Sequence, residues 1–207
     1  YEGFTQCVYS EECGGGAAMA GAVKSNTDIN IKSIGDCVAT LIGDKGVHQI
    51  TIDQATKYGN RTMLANCIGP LSYKTEHMTD FDANISYEEI ISKVGENAKV
   101  VIMSDGFFDG MDSKYISEYH GVPGDWQSFG EHTRKYQTQF METAIADLQK
   151  EGYSIHDDDF ATTLSRYARS KGSQDDLGIV VLDASKPKTA AGYTIGIVCD
   201  GAGGEGI

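Results

Sequence analysis

Apolar residues fall in short blocks along the first half of the chain and in spaced series along the second. Ala17 to Val23 is a run of small apolar residues, Lys24 to Asp28 reads as a turn, and Ile29-Asn30-Ile31 alternates as a half-buried strand does. Gly35-Asp36 then turns the chain into the mostly apolar Cys37 to Ile42. Gly43-Asp44-Lys45-Gly46 is a hairpin signal, which makes Val47 to Ile52 the returning strand. Ser86 and Glu89 form a capping box ahead of Ile90, Ile91 and Val94, and Gly95 supplies the stop. This predicts a short helix feeding a strand over Lys99 to Met103.

Residues 112 to 130 contain Pro123 and Trp126 without clear periodicity and read as an irregular insert. Tyr136, Phe140, Ala144 and Leu148 then recur at helical spacing, predicting a helix from about Glu131 to Glu151 with one apolar face. Asp157 to Asp159 are placed to cap another helix, whose Phe160, Leu164 and Ala168 face one way and which ends near Gly172. Ser185 to Gly192 is linker-like and precedes a last strand. Strand blocks joined by hairpins and followed by a helical block predict an antiparallel α+β sandwich.

Three strands in this pattern end or begin on carboxylates. Val100 to Met103 stops abruptly at Ser104-Asp105-Gly106, Ile195 to Cys199 runs into Asp200-Gly201, and Asp175-Asp176 precedes Gly178 to Leu182. Any one Asp-Gly after a strand is more often a turn than a ligand. Three like charges gathered at strand ends would repel one another without a cation. Carboxylate, carbonyl and water oxygens suit Mg²⁺ or Mn²⁺. The five histidines show no metal-ligand spacing and read as surface or loop residues, and Cys199 reads as buried strand packing rather than a nucleophile.

Bulk properties narrow the setting. With 207 residues the chain fits one domain, and its 40% hydrophobic and 23% charged content is globular. A formal charge of −13 argues against nucleic acid as partner. Five scattered cysteines without a CxxC pair favour a reducing, cytoplasmic location. No apolar stretch is long enough to span a membrane, and no signal peptide is visible. Nothing in the sequence sets the oligomeric state.

Taken together, these segments resemble the metal-dependent protein phosphatase 2C (PPM) family. Ser33 to Ala39 (SIGDCVA) looks like its "VGDSRA" turn, and Gly15-Gly16-Ala17-Ala18 is similar to its "GSTA" strand. Leu64 to Gly69 is similar to "LxxALG", and Met103 to Asp109 matches "xSDGLWD". Gly172 to Leu177 looks like the terminal "SxDN", with Asp176 in place of asparagine, and Val198 to Gly204 looks like "VxDGHGG". The resemblance implies an α/β/β/α sandwich of two antiparallel sheets flanked by helices, and hydrolysis of phosphoserine and phosphothreonine in a protein substrate. It also implies two Mg²⁺ or Mn²⁺ ions. Asp200 would bridge them and the Gly201 carbonyl would complete one shell. Asp105 and Asp175 would hold the other ion, and Asp36 would contribute to a third, weaker site.

The motif order differs from the family's, in which "DGHGG" lies near the N-terminus; here 193–207 comes last. A circular permutation of a single domain spanning 1–207 explains this most simply. A truncated second domain from Gly192, or a chain lacking internal segments, are the alternatives. The family's first-strand arginine and acidic pair are not found, and Ser10-Glu11-Glu12 is only a loose match to the pair. Ala202 replaces the "DGHGG" histidine. Arg61, Arg134, Arg166 and Arg169 are the alternatives for holding phosphate. These departures frame a rival expectation, a pseudophosphatase acting as a protein-binding or regulatory module; a non-catalytic cation-binding domain is more remote.

Overall fold

In a computed structural model of the chain, residues 16–58, 61–65, 81–122, 124–187 and 193–202 are described. Ser10 to Glu12, Asn66 to Gly69 and most of the 185–192 linker lie outside them. Two four-stranded antiparallel sheets form the body. The first has the order β10-β1-β2-β7, built from β1 (Gly16–Lys24), β2 (Asp28–Ile34), β7 (Phe81–Ser86) and β10 (Thr194–Ala202). The second has the order β4-β3-β8-β9, from β3 (Val38–Gly43), β4 (Gly46–Gln49), β8 (Lys99–Met103) and β9 (Ile179–Asp183). A separate hairpin pairs β5 (Ala55–Tyr58) with β6 (Arg61–Leu64).

The helices are α1 (Tyr87–Val94), α2 (Lys114–Glu118), α3 (Trp126–Lys150) and α4 (Phe160–Ser170). Two antiparallel sheets with flanking helices are the architecture the sequence predicts. Ala18, Ala20, Ile31, Leu41, Val100 and Ile102 meet between the sheets. On the far side of the second sheet, Val101 and Met103 pack with Met141, Leu148, Phe160 and Leu164 of α3 and α4. β3 and β8 are therefore buried on both faces, which is why they read as mostly apolar runs instead of alternating.

Local chemistry explains most element ends. Ser86 accepts the Glu89 N–H at the start of α1, as the capping box predicts, and the Gly95 N–H returns to the Ile91 carbonyl. β4 stops at Gln49 instead of running to Ile52, because the N–H groups of Ile50 and Thr51 both turn to the Ala39 carbonyl. The supposed irregular insert holds α2 and the first turn of α3. That helix begins at Trp126, well before Glu131, since Asp125 accepts the Ser128 N–H as its cap. Asp159 precedes α4 but makes no side-chain cap bond, and Asp157 instead accepts the Ser154 N–H. Phe160, Leu164 and Ala168 are buried as predicted.

Two side chains face the other way from expectation. The buried stripe of α3 runs through Phe129, Thr133, Gln137, Met141, Ala144 and Leu148, so Tyr136 lies outside it and bonds Glu118. Cys199 is exposed. Gly196 and Val198 turn inward on β10, so strand alternation puts Cys199 outside and Asp200 on the inner face.

Candidate functional site

Strand register gathers the acidic residues at one end of the sandwich. Met103, the last residue of β8, pairs with Val38, the first of β3, and with Ile179, the first of β9. Asp105, Asp36 and Asp175 lie just beyond those three positions, so all three leave from the same edge. Asp36 sits where the chain crosses from β2 to β3. Asp200 pairs across the first sheet with Ala18, one residue from the Met19–Ile34 pair that ends β2. Four elements distant in sequence thus deliver carboxylates to one edge.

The electrostatics carry the mark of that convergence. Burial pushes the Asp105 carboxyl well above the ordinary carboxylate range, and the Asp36 charge, a side-chain hydrogen bond with Asp200 and the charges of Asp200 and Asp175 add to it. Asp36 is likewise raised, first by burial, then by Asp200 and Asp175, against a backbone hydrogen bond that favours its anion. The Cys37 thiol is driven up by burial and by Asp36, Asp200 and Asp105, which makes it an inert thiol rather than a nucleophile.

The Asp105 turn and the Asp175 loop are clasped together. Asp105 to Phe108 form a 3₁₀ turn after Ser104. Ser104 Oγ accepts the Gly178 N–H at 3.0 Å and donates to the Asp176 carbonyl at 3.2 Å. A side chain at Gly106 would put its Cβ 2.6 Å from the Asp176 oxygen, so this approach requires glycine.

Sequence reasoning missed Asp53. With Asp36, Asp105, Asp109, Tyr115, Thr133 and Gln137 it lines a cavity of about 220 Å³. Only 8% of its surface is exposed. Burial, and then the Asp36 charge, push its carboxyl up to about 8, although the Ala55 N–H and the Gln137 amide favour the anion. The sequence carries little signal for it: Val47 to Ile52 is half polar (Val-His-Gln-Ile-Thr-Ile), and Asp53 is followed by Gln54 rather than by a turn glycine.

Arg134 pairs with Glu131 on the same helix, Arg166 is exposed on α4, and Arg169 donates to the Ser173 carbonyl at 3.1 Å. The Arg61 side chain lies outside the described residues. Of the histidines, His48 is half-buried, and His132 packs between Tyr119 and Tyr136 with a ring nitrogen 2.9 Å from the Tyr115 carbonyl. Among the described residues, no group of three or more His, Cys, Asp or Glu is arranged so that it could hold a metal ion. The clustered groups are nonetheless all carboxylates, whose oxygens are the donors a hard divalent cation takes. No helix in the described residues is long and apolar enough to cross a membrane.

No protein-family model matches the sequence, and no curated protein matches it closely. Among solved structures, it is similar to the PPM Ser-Thr phosphatase MsPP from Mycobacterium smegmatis, solved with cacodylate: 16% identity over 75% of this chain and 55% of that one, TM-score 0.39. PppA, a regulatory component of the type VI secretion system in Pseudomonas aeruginosa, gives 12% identity over 74% and 51%, TM-score 0.40. The phosphatase domain of SpoIIE from Bacillus subtilis gives 13% over 78% and 54%, TM-score 0.36. These are PPM-type phosphatases, the family that the motifs resemble. The chain spans about half the length of each.

Proposed function

We propose that the chain carries the catalytic core of a metal-dependent serine/threonine phosphoprotein phosphatase. The observation that carries this reading is the meeting of Asp36, Asp105, Asp175 and Asp200 at one edge, where the charges of Asp175 and Asp200 add to burial in raising the proton affinity of Asp36 and Asp105. In it, Asp200, Asp105 and Asp175 hold two Mg²⁺ or Mn²⁺ ions together with the Gly201 carbonyl, and Asp36 serves a third. When bound, such ions activate water and neutralise phosphoryl charge. The chain's own residues supply the anionic edge.

β10 pairs with β1 over its whole length, from Gly16–Ala202 to Lys24–Thr194, which supports a permuted single domain over a second truncated one. The two described cysteines, Cys37 and Cys199, are free thiols, in keeping with a cytoplasmic setting. A phosphorylated protein is the substrate in this reading, with neither nucleic acid nor membrane as partner.

The pseudophosphatase reading is favoured by a separate observation: Arg134 is paired with Glu131 on its own helix, and Ala202 stands where the family has histidine. One assay decides. Hydrolysis of p-nitrophenyl phosphate and a phosphothreonine peptide is measured with Mn²⁺, with and without chelator, for wild type and Asp200→Asn. Chelator-sensitive turnover lost in the variant is the expected result; no turnover by wild type overturns the enzyme.

A further inference from the structure

Asp109 closes the 3₁₀ turn that begins at Asp105, and its side chain reaches across to the other acidic loop. Its Oδ2 accepts the N–H of Gln174 at 3.3 Å and the N–H of Asp175 at 3.2 Å. The Asp175 Oδ1 in turn accepts the N–H of Asp176 at 2.8 Å, which fixes that carboxylate against its own loop. At the far end of the same loop, Ser104 engages Gly178 and Asp176. The loop over 174–178 is therefore tied at both ends to the segment carrying Asp105.

We propose that Asp109 is a positioning residue: it holds the backbone of Asp175 so that this carboxylate meets Asp105 and Asp200 at the cation site. The inference rests on the metal reading of that site. A loop bearing an anion is repelled by the anions it must join, so it needs an anchor that does not depend on the cation. Two consecutive backbone N–H groups aimed at one carboxylate oxygen supply such an anchor. Ser104 bonds beyond Asp175, at Asp176 and Gly178, and the bonds from α4 end before it, at Ser173, so the N–H groups of residues 174 and 175 are held by Asp109.

Both bonds converge on a single oxygen, and this yields a selective test. The side-chain oxygen of asparagine has two lone pairs and can accept both N–H groups, whereas alanine accepts neither. Mn²⁺ binding is measured by calorimetry on the full chain, wild type, Asp109→Ala and Asp109→Asn. Loss of a residue that orients a metal ligand costs about 10–100-fold in metal affinity. That loss is expected for Asp109→Ala, with Asp109→Asn close to wild type. Equal loss in both variants overturns the proposal, since it would make the Asp109 charge itself the requirement.

Backbone amide exchange of the cation-free protein provides a second reading. Exchange at Gln174 and Asp175 is expected to quicken in Asp109→Ala and to stay slow in Asp109→Asn. Unchanged exchange in Asp109→Ala overturns the proposal. If wild type binds no Mn²⁺, the metal reading falls and with it the role toward a cation, while exchange still decides whether Asp109 anchors the loop.

Discussion

Gln137 donates from Nε2 to Asp53 Oδ2 at 3.3 Å, while its Oε1 accepts from Gln49 Nε2 at 2.7 Å. One amide on α3 thus joins the end of β4 to a buried carboxylate on the cavity wall. Close approach of helix and loop permits the contact: a Cβ at Gly130 would fall 2.3 Å from the Asp53 carbonyl oxygen. The hydrogen-bonding needs of Gln137 explain why the buried stripe of the helix includes a polar side chain.

Asp53 should make stability fall with rising pH. Its carboxyl, ordinarily near 3.8, is held up to about 8 in the folded chain by burial and the Asp36 charge. Between those values the folded state keeps a proton that the unfolded state has lost. Stability from this group is then full below about pH 4 and is lost as pH rises toward 8, by up to about 1.4 kcal/mol per pH unit. Melting curves of wild type and Asp53→Asn between pH 5 and 8, with chelator present, should diverge in that sense. Parallel pH profiles would refute the shift.

Gln137→Leu keeps most of the side-chain volume and removes the amide. Asp53 then loses one donor, and Gln49 Nε2 retains only the Thr51 carbonyl. Leaving buried polar groups short of partners costs about 1–3 kcal/mol. Urea denaturation should show a loss of that size, with the slope unchanged. A neutral result would mean that water replaces the amide.

The sequence exposed those parts of the fold and site governed by local signals. The Ser86–Glu89 capping box placed α1, and the break after Met103 marked Asp105. Register then had to bring Asp36, Asp175 and Asp200 to the same edge, a long-range outcome that the motif resemblance anticipated and that periodicity could not. What stayed hidden lies where polar atoms are buried. Hydrophobic spacing chose Phe140 correctly, since its ring packs against Phe107, Phe108 and Tyr167, but it also chose Tyr136 and cannot register that Thr133 and Gln137 are buried. Cys199 was assigned inward from its apolar neighbours, although alternation from Val198 puts it outside.

Gly106→Ala should loosen the clasp between the two acidic loops. The new methyl would lie 2.6 Å from the Asp176 carbonyl oxygen and 3.2 Å from Asp175 Cβ, so backbone must move. Overpacking of this kind costs about 1–3 kcal/mol. Thermal unfolding should report that loss, and Mn²⁺ binding should weaken beyond it because Asp175 is displaced. Unaltered cation affinity in a destabilised but folded variant would separate the clasp from the site.

Cation binding should stabilise the chain, and do so more strongly at pH 8 than at pH 6. Asp36 and Asp105 hold protons more tightly than ordinary carboxylates, through burial and mutual repulsion, and a divalent ion must displace them. The proton competes at Asp36 up to about pH 6 and at Asp105 up to about pH 8, so competition eases as pH rises and the ion relieves the repulsion of the freed anions. At a hundred times its dissociation constant, an ion bound only by the folded state adds about 2.7 kcal/mol. Mn²⁺ should therefore raise the melting temperature of wild type at pH 8, chelator should reverse the gain, and Asp200→Asn should abolish most of it. An equal gain in wild type and Asp200→Asn would place the ion away from this edge, and an equal gain at pH 6 and pH 8 would show that Asp36 and Asp105 are not among its ligands.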